Sequence, residues 1–174
     1  VVVYISFMGY AGDRVTAWLH PELDPGDTGY QILQSLYAIG SGGLFGLGYG
    51  KSRQKYLYLP FQYNDYIFAV ICEELGLVGA MAIVALFAVT ILRGYWIALN
   101  ARDRFSTVLA AGLVTLIAVQ TILNLCVVTN LLPSTGIALP FFSYGGTALA
   151  VNLGEMGIVL GISRGRNRRK IQEA

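Results

Sequence analysis

Three carboxylates stand at the edge of and inside one apolar run. The string YLPFQYNDYIFAVICEELGLVG, residues 58–79, ends a polar segment at Asp65, turns apolar at Tyr66, and carries Glu73 and Glu74 within the run. An acid near the centre of a bilayer costs roughly 3 kcal/mol on insertion scales, so such acids usually pair with something or perform chemistry. Asp65 could be a general base, since desolvation at an apolar mouth raises a carboxylate's pKa. It could equally hold a hard divalent cation. A purely structural reading stays open beside these: Asn64 or Asp65 as the N-cap of the following helix. Residues eight apart share a helix face, so Glu73 falls roughly beneath Asp65, with Glu74 offset by about 100°. The two glutamates read either as a buried ion pair or interhelical hydrogen bond, or as support for Asp65 or a polar cavity.

Two further stretches carry chemistry. GLGYGKSRQK, residues 46–55, combines glycines with Lys51, Arg53 and Lys55. Free backbone N–H groups plus cations make a phosphate cradle; the alternative is a solvated basic loop touching anionic headgroups. The spacing is not that of a nucleotide-binding P-loop. LLPSTGIALPFFSYGGTA, residues 131–148, leads into another apolar run. Pro140 suits a first helical turn. Ser143, Gly145 and Gly146 let helices pack closely, or Ser143 and Tyr144 belong to a polar opening beside Asp65. Gln120, Asn124 and Glu155 sit inside apolar runs, where interhelical hydrogen bonding is their ordinary use. His20 joins no triad or metal set. Cys72 and Cys126 lack metal or redox spacing and read as buried thiols.

The elements that must position these residues follow from composition. Of 174 residues, 55% are hydrophobic and 13% charged, against about 25% charged in soluble domains. The charges cluster in 13–27, 51–55, 93–104 and 164–173, separated by long apolar runs, the pattern of a polytopic membrane protein. A net charge of +2 gives no footprint for nucleic acid. The expected fold class is all-α, a transmembrane helical bundle. Residues 1–10 read as the end of a truncated helix, and the start at Val1 within an apolar stretch reads as a C-terminal fragment of a longer protein. Residues 11–65 form a large loop containing a short amphipathic helix at 30–40, halted by the glycines of SGGLFGLGYG. Three spans are expected within 66–163, at about 66–92, 105–128 and 141–163, followed by a basic tail, 164–174. The linker 93–104 and the tail carry the short-loop arginines, which puts both in the cytoplasm and the 11–65 loop outside.

At these residues the sequence resembles the SEDS family (shape, elongation, division and sporulation), the RodA/FtsW/SpoVE proteins. GYQILQSLYAIGSGGLFGLGYGKSRQKYLYLP, NDYIFAVICEELGLVG and LLPSTGIALPFFSYGGTA occur in the family's order. The resemblance implies a bundle of about ten spans, of which this chain holds the last three and the large outer loop. It implies a multi-pass protein of the bacterial plasma membrane whose active face is extracytoplasmic. The implied activity is a peptidoglycan glycosyltransferase polymerising lipid II beside a class B penicillin-binding protein. A divalent cation, Mg or Mn, would assist the diphosphate leaving group. The family's catalytic acid maps to Asp65, its loop lysine to Lys55 and its paired acids to Glu73 and Glu74. Where the family has PEAHTD, this chain has Pro60-Phe61-Gln62-Tyr63-Asn64-Asp65, and Asn130 replaces a usual glycine. Two other functions share the same features: a flippase of lipid-linked precursors, with Glu73, Glu74, Gln120 and Glu155 lining a path, and a non-enzymatic scaffold for a transpeptidase. The fragment alone is expected to be inactive.

Overall fold

The computed structural model describes residues 14–23, 28–52 and 65–172. Arg53, Lys55 and the expected helix end at 1–10 lie outside the described residues. Every regular element among the described residues is helical. The four long helices are α1 (Thr28–Ser41), α2 (Ile67–Leu99), α3 (Arg104–Val128) and α4 (Gly146–Gln172). Three stretches, Ile67–Leu99, Arg104–Val128 and Gly146–Gly165, are long and apolar enough to cross a membrane. Their large side chains are widely exposed, Leu86, Leu92, Val108, Val119 and Leu160 among them. Such apolar area suits lipid rather than water.

The chain divides into two compact units, Val1–Met81 with Leu123–Leu139 and Ala82–Ile122 with Pro140–Ala174. In the first, α1 buries Ile32, Ser35 and Ala38 while Tyr37 is exposed, the one-sided burial expected of an amphipathic helix. The Ser35 hydroxyl donates to Ile32 O at 2.9 Å and to Val128 O at 3.3 Å, tying α1 to the end of α3. α3 closes in a Schellman arrangement: Asn130 N–H donates to Val127 O at 3.0 Å and Leu131 N–H to Cys126 O at 2.7 Å. That motif needs a left-handed residue, and Asn130 supplies it with φ 58°. Asparagine tolerates this conformation better than other side chains do, so it can stand where glycine is usual.

The second unit is built around Ala98, Ala110, Val114 and Val159, with Ile91, Tyr95, Leu113 and Ile162 packed against them. α3 starts here because Asp103 caps it. The carboxylate accepts from the Ser106 N–H at 3.0 Å and from its hydroxyl at 2.9 Å, and these bonds hold the Asp103 carboxyl below its ordinary range. α4 begins at Gly146, later than the sequence suggests. Phe141 takes φ 67°, a left-handed conformation that ends any helical run from Pro140.

α2 is broken. Gly76 has φ 68° and ψ −170°, so the N–H groups of Leu77 and Val78 lose the carbonyls of Glu73 and Glu74. The glycine-rich segment after α1 fills the gap. Leu77 N–H donates to Gly43 O at 2.9 Å and Val78 N–H to Leu44 O at 3.2 Å. In return Leu47 N–H donates to Glu73 O at 2.9 Å and Gly48 N–H to Glu74 O at 3.0 Å. All four freed groups are paired, which a break in an apolar span requires. The approach is so close that a Cβ at Gly42, Gly46 or Gly76 would collide with the opposing backbone.

Candidate active site

Asp65 stands two residues before α2, in the first unit. Its main-chain carbonyl accepts from Asn124 Nδ2 at 2.8 Å, and the same amide donates to Ile137 O at 2.8 Å. Asn124 is 1% exposed. It therefore fastens the mouth of α2 to the strap that follows α3. That strap, residues 133–139, forms a wall beside the carboxylate. Gly136, at φ 69°, passes so near that a Cβ there would lie 3.6 Å from Asp65 Oδ2. Arg14 donates from its guanidinium to Ser134 O at 2.7 Å, joining residues 120 apart in sequence. Trp18 Nε1 donates to Asn130 O at 3.0 Å on the same side. The helical turns at 14–19 thus hold the far end of the strap.

Burial pushes the Asp65 carboxyl above the usual carboxylate range, and the Arg14 charge pulls it partly back. Burial also raises the Tyr66 phenol, against the neighbouring Ser134 hydroxyl; the negative charge on Asp65 adds to the rise and Arg14 opposes it. The Tyr66 hydroxyl is buried beside Ser134 without meeting hydrogen-bond geometry. Among the described residues the Asp65 carboxylate accepts no hydrogen bond from the first turn of α2, so the capping reading does not describe it. It is a half-buried carboxylate held by its backbone, its oxygens free of hydrogen bonds among the described residues.

The other sequence candidates distribute as follows. Glu73 is 1% exposed and accepts from the buried Ser52 hydroxyl. Glu74 is buried, with Oε1 unpartnered among the described residues. Lys51 is exposed, its stem lying over Gly48 and its N–H donating to Gly48 O at 3.1 Å. Ser143 and Tyr144 belong to the second unit, Tyr144 fully in the open. Glu155 and Asn152 are buried within α4, also in that unit. No three His, Cys, Asp or Glu side chains converge among the described residues.

The likeness to known proteins covers this whole arrangement. A family model described as cell cycle protein, FtsW/RodA/SpoVE, matches residues 1–168. The chain belongs to that family. Stage V sporulation protein E of Bacillus subtilis is 50% identical over 155 residues, 89% of this chain and 42% of that protein. The probable peptidoglycan glycosyltransferase FtsW of Geobacter sulfurreducens is 49% identical over 164 residues, 93% of this chain and 44% of the relative. Among solved structures, a chain of a peptidoglycan synthase complex that coordinates polymerisation and crosslinking superposes with TM-score 0.75 at 29% identity, covering 94% of this chain and 44% of that one. An aspartate-to-alanine variant of the rod shape-determining protein RodA of Thermus thermophilus gives TM-score 0.60 at 32% identity, over 76% of this chain and 40% of that one. The chain thus spans less than half the length of the relatives it matches. Within the first unit, parts of the FtsW/RodA/SpoVE motifs quoted above meet: the glycine segment and α2 interleave, and the LLPSTG strap walls Asp65. Arg14 and Gly136 are the members that motif reading did not single out. Arg14 lies in a polar stretch with no pattern of its own, and only the fold brings it to the strap.

Proposed function

We propose that the full-length protein is a peptidoglycan glycosyltransferase that polymerises lipid II, with Asp65 as its general base. The observation that carries this is the Asp65 carboxylate itself. It is anchored through its carbonyl, accepts no hydrogen bond from the first turn of α2 among the described residues, and is made more basic than an ordinary aspartate by burial. A raised pKa brings a carboxylate closer to the range where proton transfer at neutral pH is efficient. In the reaction, Asp65 takes the proton from the 4-hydroxyl of the acceptor sugar. That oxygen forms a bond to the anomeric carbon of the donor, and the bond from that carbon to the diphosphate oxygen breaks. Undecaprenyl diphosphate leaves with the electron pair. A positioned base contributes about 100- to 10,000-fold. Negative charge develops on the diphosphate and calls for cations; Lys51, Arg53 and Lys55 are assigned that part. Apolar span surfaces would hold the lipid tails in the membrane plane.

A Mg or Mn ion would neutralise the same diphosphate. The described donor set offers no cage of carboxylates for one, so no step is routed through it. The protein is assigned to the bacterial plasma membrane, with the Asp65 side extracytoplasmic and the tail cytoplasmic. A class B penicillin-binding protein is its proposed partner; the solved relative that coordinates polymerisation with crosslinking supports that pairing.

The test is lipid II polymerisation by the full-length protein with its partner, wild type against Asp65→Asn. Glycan strands from wild type and none from a folded, partner-bound Asp65→Asn protein support the reading. Normal polymerisation by that variant would return Asp65 to a structural part; no strands even from wild type would bring the flippase and scaffold readings forward.

A further inference from the structure

The paired acids in α2 have different surroundings, and Glu73 has a use that the reaction above does not give it. It is 1% exposed, too enclosed to meet a substrate. Its carboxylate accepts from the Ser52 hydroxyl, itself 1% exposed. Ser52 follows Lys51, the first cation of the basic run that ends at Lys55. The backbone just before it is fixed twice over: Leu47 and Gly48 are bonded into the break of α2, and a turn closes from Lys51 N–H to Gly48 O. Beyond Ser52 the chain passes to Arg53 and Lys55. Glu73 therefore fastens Ser52, the residue next to Lys51, to the helix that carries Asp65 at its mouth.

We propose that Glu73 is a positioning residue: through Ser52 it fixes the neighbouring Lys51 so that this cation meets a lipid-linked diphosphate at a set place along α2. This rests on the glycosyltransferase reading for its ligand, though not for its geometry. A buried carboxylate suits the task because its hydrogen bonds are about twice as strong as neutral ones. A flexible cation pays side-chain and loop ordering when it binds; a tethered one has lost that freedom in advance, which shows as affinity. The predicted defect is thus in donor binding rather than in the proton transfer at Asp65.

Ser52→Ala and Glu73→Ala in the full-length protein test this, singly and together. Loss of the bond, worth about 1–2 kcal/mol, converts to a roughly fivefold to thirtyfold rise in KM for the diphosphate-linked donor. Inhibition by inorganic diphosphate should weaken in parallel, kcat should change little, and the double variant should be no worse than the poorer single one. Ser52→Thr should restore KM. A readout free of activity uses Lys51→Cys with Cys72 and Cys126 replaced by alanine: maleimide labelling should accelerate severalfold when Ser52→Ala is added. If Glu73→Ala fails to fold, Ser52→Ala alone carries the decision. Unchanged KM, unchanged diphosphate inhibition and unchanged labelling in a folded Ser52→Ala protein overturn the proposal. If wild type makes no glycan strands while labelling still accelerates on Ser52→Ala, the glycosyltransferase reading has failed and the tether stands; strands from wild type with unchanged labelling and KM in Ser52→Ala separate them the other way.

Discussion

At the scale of single residues, Asp65 owes its character to opposing neighbours. Burial raises its pKa and Arg14 lowers it. Arg14→Gln should therefore move the acid limb of the pH–rate profile for polymerisation to higher pH, because more hydroxide is needed to expose the base. Substitution of a remote exposed arginine such as Arg102 should leave that limb in place. The stability consequence has the opposite sign to a salt bridge. An acid with a higher pKa folded than unfolded binds more protons in the folded state, so its ionisation opposes folding once pH exceeds the unfolded value. Asp65→Asn should then melt no lower than wild type at neutral pH, and any gain should vanish as pH falls below the ordinary carboxylate range. Thermal denaturation in detergent at two pH values measures this. The carboxylate was legible in the sequence because an acid at the edge of an apolar run is conspicuous. Its partners were not. Asn124 reads as any polar residue in a span, and Arg14 reaches the strap only through the fold, since charge clusters do not announce their distant acceptors.

At the scale of elements, the break in α2 decides what the neighbouring glycines must be. Gly76→Ala would place a Cβ at φ 68° against the Leu44 carbonyl and the Gly46 nitrogen. With ψ −170° that φ falls in a backbone region essentially reserved for glycine, which costs other residues about 1–3 kcal/mol; the collision adds to it, so a loss above about 2 kcal/mol is expected. Gly40→Ala, inside α1 with open space around it, should be neutral or stabilise by about 0.5–1 kcal/mol. Comparing the two melting temperatures tests whether the interleaving or mere helix propensity governs this region. The sequence told part of this: the SGGLFGLGYG run promised a helix stop and positive φ, and Gly43, Gly46, Gly48 and Gly50 all show it. It did not disclose where that run goes. Gly76 sits in an apolar stretch where a glycine is commonly tolerated, and hydrogen bonds to residues 34 positions earlier leave no local pattern. The end of α3 was legible in kind, and Asn130 carries the left-handed turn there. The start of α4 was displaced, because a favourable first-turn proline was overridden by the conformation of Phe141.

At the scale of the molecule, all-helical architecture and three spans followed from apolar run lengths, which depend on bilayer thickness more than on packing detail. Handedness of insertion rests on the arginines of the short linkers. Single cysteines at Ala101 and Leu131, in a background with Cys72 and Cys126 replaced by alanine, should report it. A membrane-impermeant thiol reagent should reach Leu131→Cys in intact cells and Ala101→Cys only after permeabilisation. The opposite result would invert the assignment and place Asp65 away from an externally delivered acceptor.

The interleaving in α2 also makes the glycine segment a ruler. Two acceptors at 43 and 44 and two donors at 47 and 48 must meet partners whose spacing the helix dictates. One added or deleted residue between them would slip both pairs out of step together, stranding backbone groups inside an apolar span. Substitutions at Phe45, whose side chain points into the open, leave that count intact. This segment should therefore accept changes of letter at its tip while refusing any change of length.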